Sequence, residues 1–508
     1  PLEDILDPWI IRNAEDRALL DNPKSPQSRA LNWLSSDDSF RQTYQPTDRE
    51  LLERYVLAVF YFSTDGDNWT DASYAFLFSS PIEFLTEEHI CSWNNNRTGS
   101  GAGNEEGAFC GNGTNVQRLR MNSGDMYGTI PWELSLLSDL EELDLGYSPL
   151  EGTIPTEIGQ LTALALLSFS GPSLTGTLPT ELGKLTKLLL FEVYGTGFNG
   201  TIPSELMQAT GLETLSLDEN SFMGSLPTEF GKLSALRTLS LSQNSFTGTL
   251  PTEFGRLTNL SGIDLSDNDF NGTLPTELGQ LTLLSTLYLN NNLFVGSVPK
   301  EIGELVELTH LYMNLNQLSG TVPMELSLLT GLVQLSLASN ALTGTVPTEF
   351  GKLSNLEVLD LSENSFMGAL PTEMGLLTFL FDLSVSRNNF NGTVPTELGE
   401  LYSLDRLYLQ ENSFTGTLPV GIAQLNLFEL SMNLNQLNGT IPVEWRDSLL
   451  YSLSLAGNSF TGTVPTQLGI SALTTLDLSD NAFTGTLPTE LGQINLLSGL
   501  YVSKNNFN

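Results

Sequence analysis

The sequence predicts an α/β solenoid, a stack of short coils behind a non-repetitive amino-terminal segment. Three observations carry this. Sixteen prolines, each three residues after a glycine, recur from Pro131 to Pro419 in steps of 24 and then at Pro442, Pro465 and Pro488 in steps of 23. A fixed period of this length marks units that bury their apolar faces only against their neighbours. Each unit also carries a leucine alternation suited to a short strand. An asparagine then follows that strand in phase, from Asn220, Asn244 and Asn268 onward to Asn505. The chain's 508 residues exceed what one ordinary core needs, and a stack escapes that limit because its core grows by adding units.

Residues 1–115 lack the period and read as an extension and cap; residues 116–508 read as the repeat array, sixteen full units and a partial one. Thr47 and Glu50 form a capping box, and Leu51, Leu52, Tyr55, Val56 and Val59 behind it make a helical apolar stripe. Cys91 and Cys110 are the only cysteines. The pair most simply reads as one disulfide, the alternative being two unrelated buried thiols. Closing that loop would contribute ~3 kcal/mol in the loop-entropy model and would imply an oxidising compartment.

One repeat runs from Leu236 to Asn259 as LRTLSLSQNSFTGTLPTEFGRLTN. Leu236, Leu239 and Leu241 point inward around Ser240. The amide of Asn244 is placed to bond the backbone of its turn and of the next coil, satisfying groups otherwise orphaned. Phe246 fills the core, with aromatic partners in phase at Phe222, Phe270 and Phe294. Gly248 relaxes the backbone, Pro251 blocks a helix before it, and Leu257 closes the coil on a turn or 3₁₀ segment. The first four units place Gly124, Ser148, Pro172 and Thr196 where later ones have the asparagine, which predicts local irregularity, read as drift in capping units.

The segment LxGTLPxELGxL resembles the plant-type leucine-rich repeat, over about residues 116–508. The resemblance implies a right-handed, curved superhelix with a parallel sheet on its concave face, a short 3₁₀ or turn convex side, and a second short strand near the Gly-x-x-Pro step. Cys91-Ser92-Trp93 and Gly107-Ala108-Phe109-Cys110 resemble that family's amino-terminal cap, which strengthens the disulfide reading. RYVLAVFYFSTDGDNWT is similar to the cap of algal extracellular repeat proteins.

The net charge of −38, from 59 acidic and 21 basic side chains, disfavours nucleic acid and anionic lipid as partners. No run reaches the ~18 apolar residues of a membrane span, so no membrane insertion is expected from this segment. The chain begins at Pro1 without a signal peptide, as a processed or trimmed chain would. It stops at Asn508 within a further unit, an uncapped end that would suit more chain or self-association. Eight Asn-x-Ser/Thr sites, at Asn68, Asn96, Asn112, Asn199, Asn259, Asn271, Asn391 and Asn438, permit glycosylation; chance alone predicts about as many.

Catalysis has little to work with. The only histidines are His89 and His310, and no phosphate loop, metal-spaced cluster or nucleophile elbow is present. No catalytic residue, metal site or cofactor is assigned. The predicted sheet is the better candidate, since repeats align equivalent positions about 5 Å apart. Tyr288 and Tyr312 become neighbours there beside His310, Asn290, Asn291, Asn314 and Leu315, an aromatic and amide patch suited to a peptide or sugar. Arg387, Arg406, Tyr408 and Leu434 form a second patch in which paired arginines could clamp a carboxylate. Against both stands the plain reading that Tyr and Arg suit exposed strand sites. Glu follows the repeat proline by two in fourteen of sixteen units. Each sits near the start of a turn where the dipole favours an anion, and a ladder of them allows at most weak calcium binding. Asp264, Asp267 and Asp269 read as turn residues.

The leading expectation is a non-enzymatic extracellular or cell-surface ectodomain for recognition or adhesion, binding a protein, peptide or glycan on the concave face. The alternative is an acidic, self-associating component of an extracellular matrix, sheath or fibre. Hydrolase inhibition, which the resemblance implies, and ice binding, which the Thr-Gly-Thr steps suggest, are lesser readings.

Overall fold

The computed structural model describes residues 2–36, 46–69, 85, 89–93, 106–111, 115–121, 126–445, 450–470 and 472–508. The chain packs as two compact units, residues 1–247 and 248–508. Gly124, Asn96 and Asn112 lie outside the described residues.

In the first unit the coils are preceded by α1 (Leu2–Ile10), α2 (Ala14–Asp21), α3 (Pro26–Ser36) and α4 (Asp48–Ser63). The capping box starts α4: the Glu50 N–H donates to Thr47 Oγ1 at 3.2 Å and the Thr47 N–H to Glu50 Oε2 at 2.6 Å. The expected stripe is buried, but so is every residue from Leu51 to Phe60, Glu53 and Arg54 included. The helix is enclosed on all sides because both charges have partners. Glu53 accepts from the Val116 N–H at 3.1 Å and pairs with Arg49 at 3.2 Å. The Arg54 guanidinium lies 5.3 Å from the Trp33 ring and 4.8 Å from that of Trp93, and the two rings meet edge to face at 5.9 Å.

Cys91 and Cys110 are joined in a disulfide. Cys110 ends β1 (Gly107–Cys110), which pairs antiparallel with β2 (Val116–Arg120). Thus β1 covers an edge that the parallel sheet would otherwise leave open. From β2 the main sheet of this unit continues in register through β3 (Glu142–Leu145), β4 (Leu166–Ser170), β5 (Leu190–Tyr194), β6 (Thr214–Ser216) and β7 (Thr238–Ser240). Leu119, Leu143, Leu167, Phe191, Leu215 and Leu239 form one buried column along it.

The second unit repeats this scheme from the strand Gly262–Asp264 to the strand Gly499–Tyr501, leucine facing leucine at Leu287, Leu311, Leu335, Leu359 and Leu383. Short outer strands such as Asp269–Gly272 and Leu293–Gly296 make a second parallel ladder. A five-residue 3₁₀ turn follows most of the repeat prolines, as at Thr276–Gln280 after Pro275; after Pro419 a short α-helix, Val420–Ala423, takes its place. The turn glycine has a steric cause at Gly279, where a Cβ would lie 2.5 Å from the Glu301 carbonyl oxygen of the next coil.

Asn292 shows how the asparagines work. Its Nδ2 donates to the carbonyls of Leu265, Leu289 and Asn290 at 2.9, 3.3 and 3.2 Å, and its Oδ1 accepts from the Phe270 N–H at 3.0 Å. The sequence placed the second partner in the next coil; the structure places it in the preceding one. Behind this row the phenylalanines stack, Phe270 on Phe294 at 6.3 Å and Phe366 on Phe390 at 6.0 Å.

Glu133, in the 3₁₀ turn after Pro131, is buried against the cap, with Oε1 accepting from Gln27 at 2.9 Å. Burial pushes its carboxyl above the usual range; Asp16 adds to the rise, while the Gln27 bond and Arg12 oppose it. The folded state therefore holds this proton to higher pH than the unfolded one. The resulting stability is complete below the unfolded glutamate value, near 4.3, and is lost as pH rises through the folded value. Glu133→Gln should thus gain urea resistance relative to the wild type from pH 4 to pH 7. A constant difference between the two across that range would show that Glu133 does not titrate this way.

Candidate ligand-binding surface

On the exposed face of the main sheet in the second unit, parallel register sets Thr286 beside His310 and Tyr288 beside Tyr312. The two tyrosine rings stack at 5.0 Å and 24°. The Tyr312 hydroxyl donates to Gln334 Oε1, fixing its ring, and His310 Nδ1 lies 2.8 Å from Thr309 Oγ1. Burial, with Asp264 for Tyr288 and Tyr288 for Tyr312, raises both phenol pKa values, so both rings are neutral at physiological pH. Asn290 and Asn314 follow half-buried, and Leu315 is 50% exposed. The register thus sets the two tyrosines against each other as a stacked pair, with Asn290, Asn314 and Leu315 following them in the chain. Such a pair can meet an extended ligand with its ring edges and outer faces, beside groups able to make neutral hydrogen bonds.

The second set is differently arranged. Arg387 stands in a turn between Glu363 (2.5 Å) and Glu411 (3.0 Å). Arg406 starts a strand, 3.6 Å from Asp382 and 3.7 Å from Asp405, and lies over the Phe381 ring at 5.6 Å. The Tyr408 hydroxyl donates to Glu429 at 2.7 Å. The expected carboxylate clamp is therefore corrected. The two arginines occupy different columns, and each is already met by two carboxylates with which a ligand would compete.

The sequence reading missed the conformation of the turn itself. The residue directly before each asparagine of the row is left-handed, with φ between 51° and 56° at Asp267, Asn291, Leu315, Ser339, Glu363, Arg387, Glu411 and Leu434. Main-chain pairing continues past the strand and enforces it: the Asn291 and Asn292 N–H groups donate to the Asn314 and Leu315 carbonyls at 2.9 and 3.1 Å. The conformation costs a non-glycine residue ~1–2 kcal/mol. It turns one side chain per coil outward, exposed Leu315 among them. The only signal in the sequence is position, one residue ahead of each asparagine.

Models of the leucine-rich repeat match residues 210–270 and, for a shorter motif, residues 139–161, 355–377 and 472–494. Among solved structures, that of a TDR receptor is 33% identical, with a TM-score of 0.75, over 77% of this chain and 68% of that one. The chain belongs to the plant-type leucine-rich repeat family. This repeat protein is also similar to PEPR1 in its complex with AtPEP1 (29% identity, TM-score 0.71, 79% of this chain and 60% of that one). A third similar structure is the Arabidopsis receptor kinase HAESA in complex with the peptide hormone IDA and the co-receptor SERK1 (32% identity, TM-score 0.68, 77% and 70%). A search of the curated proteins returns no match.

In the repeat protein's glutamate row, Glu277 and Glu301 each follow a proline by two, and Glu277 accepts from the neighbouring Thr276 hydroxyl at 3.3 Å. Among the described residues, the one convergent set of three potential metal-ligating side chains is His89 with Cys91 and Cys110, whose sulfurs are bonded to each other. Asp264 accepts from the Ser266 N–H and hydroxyl at 2.9 and 2.6 Å, and Asp267 accepts from Asn291 at 2.5 Å, both holding turns. Asn68, Asn199, Asn259, Asn271, Asn391 and Asn438 are exposed. No helix among the described residues is long and apolar enough to cross a membrane.

Proposed function

We propose that this chain is a non-enzymatic ectodomain, extracellular or at the cell surface, that recognises a peptide across the exposed sheet face of residues 248–508. In this reading residues 1–115 serve as cap and 116–508 as the recognition array. The observation that carries it is the Tyr288–Tyr312 stack, a neutral aromatic pair on the exposed face of the sheet. The similar structures support it, since PEPR1 is seen with AtPEP1 and HAESA with the hormone IDA, and the disulfide suits an oxidising compartment. Panning a random phage-displayed peptide library on the full chain should enrich a shared motif. Tyr288→Ala combined with Tyr312→Ala should weaken those peptides at least tenfold while the unfolding midpoint stays within a few degrees. Peptides that bind the double variant unchanged would remove this face as the recognition surface.

A further inference from the structure

We infer that the turn edge of the first unit carries a binding site for a neutral saccharide, formed where the column of turn side chains is interrupted at Gly171 and Gly195. The site lies outside the tyrosine face of the second unit and does not depend on it.

A groove of 470 Å³ opens between Tyr147 and Glu219, within the ~300–1,000 Å³ range of small-molecule pockets. Its origin is local. Here the row asparagine is replaced by Ser148, Pro172 and Thr196. In place of the usual three residues, β4 and β5 run for five, pairing Ser170 with Tyr194. The extra length keeps Tyr194 on the exposed face of the strand. At either end of the gap the turn column resumes, with Tyr147 at φ 52° and Glu219 at φ 52°. Between them two successive coils contribute no side chain, leaving about two strand spacings, ~10 Å, of open edge.

The two glycines differ in a way that matters. Gly171 has φ 129°, and a Cβ there would lie 2.1 Å from the Ser148 carbonyl oxygen, so the backbone requires glycine. Gly195 has φ 61°, close to the 52° at which Gln243 stands in the same column, and a Cβ would find only Glu219 Oε2, at 4.0 Å. Space does not demand a glycine at 195, and the conformation is one that non-glycine residues of this column adopt at a cost. Its effect is to keep the groove open.

The lining selects the ligand. Tyr147 is 73% exposed and Tyr194 43%, two ring faces onto which the C–H face of a sugar can stack. The Tyr194 hydroxyl donates to Glu219 Oε1 at 2.8 Å, which orients the carboxylate and leaves Oε2 at the edge of the gap, where it can accept from vicinal hydroxyls. Among the described residues no lysine or arginine lines the groove, and with Glu219 there and a chain charge of −38, uronates, sulfated sugars and phosphates are repelled. An extended peptide is less well served. The Tyr147 N–H already donates to Ser170 Oγ, and the Gly195 N–H to the Asp218 carbonyl at 3.1 Å, so this edge offers little main chain to pair with.

The test uses the full chain with laminarihexaose, cellohexaose, mannohexaose and chitohexaose, read by saturation-transfer NMR and titration. At least one should bind. Gly195→Gln, which supplies the side chain already accommodated at Gln243, should weaken it at least tenfold while the unfolding midpoint falls by no more than the few degrees that a left-handed non-glycine residue costs, and Tyr194→Ala should weaken it as much with the midpoint within a few degrees of the wild type. Tyr288→Ala with Tyr312→Ala should leave it unchanged, which separates this site from the peptide face. The inference is overturned if none of the four binds, if Gly195→Gln leaves binding intact, or if the groove variants affect only peptides from the phage library.

Discussion

Asn292→Ala is expected to lower the stability of the second unit by about 2 kcal/mol, since one side chain there bonds four main-chain groups at ~0.5–1.5 kcal/mol a bond, while the carbonyls among them each keep a second donor, from Asn268, Asn316 and the Asp267 N–H. Three are carbonyls, of Leu265, Leu289 and Asn290, and the fourth is the Phe270 N–H. The loss should be local, because a coil in a stack leans only on its neighbours. Urea unfolding should show the drop, and hydrogen exchange should show lost protection concentrated at Phe270 and the two coils involved. Asn292→Asp makes the sharper comparison: it keeps the acceptor for Phe270 but turns a buried carboxylate toward three carbonyls, and should be worse than alanine. An aspartate variant as stable as the wild type would mean that the amide is not the tie it is taken for.

Trp93→Ala should destabilise the first unit by about 4 kcal/mol, through the cavity left by a fully buried indole. A second cost adds to it, because Arg54 is itself buried and its cation lies 4.8 Å from that ring. The two effects separate in a double-mutant cycle. Arg54→Met alone should be mild, and Trp93→Ala should be less damaging in the Arg54→Met background than in the wild type. Thermal unfolding followed by near-ultraviolet circular dichroism reads both. Strict additivity would show that ring and cation do not interact.

The repeat was legible in the sequence because its cause is local and periodic. Leucines at alternate positions, a proline after each glycine and an asparagine after each strand dictate a coil, and repetition dictates that coils stack. The cap was legible only in part. Thr47, Glu50 and the paired cysteines act over short distances and could be placed, whereas the burial of Glu53 depends on Val116, sixty-three positions away. The tyrosine patch was found because register follows from the period. The arginine clamp was not, because Glu363 and Glu411 reach Arg387 from neighbouring turns whose left-handed geometry leaves no mark in composition. The departures at Ser148, Pro172 and Thr196 were seen but read as drift; what they shape emerges only when three coils are superposed.

That turn position also restricts what the molecule can become. From Tyr147 through Glu219, Gln243 and Asn291 to Lys504 it has admitted acids, bases, amides, an aromatic and an aliphatic, yet at none of these coils does valine, isoleucine or threonine stand there. A branch at Cβ is the one thing a left-handed residue tolerates poorly. Each coil thus offers a single letter that can be rewritten in charge, size or polarity while the interior is untouched, under one spelling rule. Divergence among copies of such a chain should collect in that column and obey it.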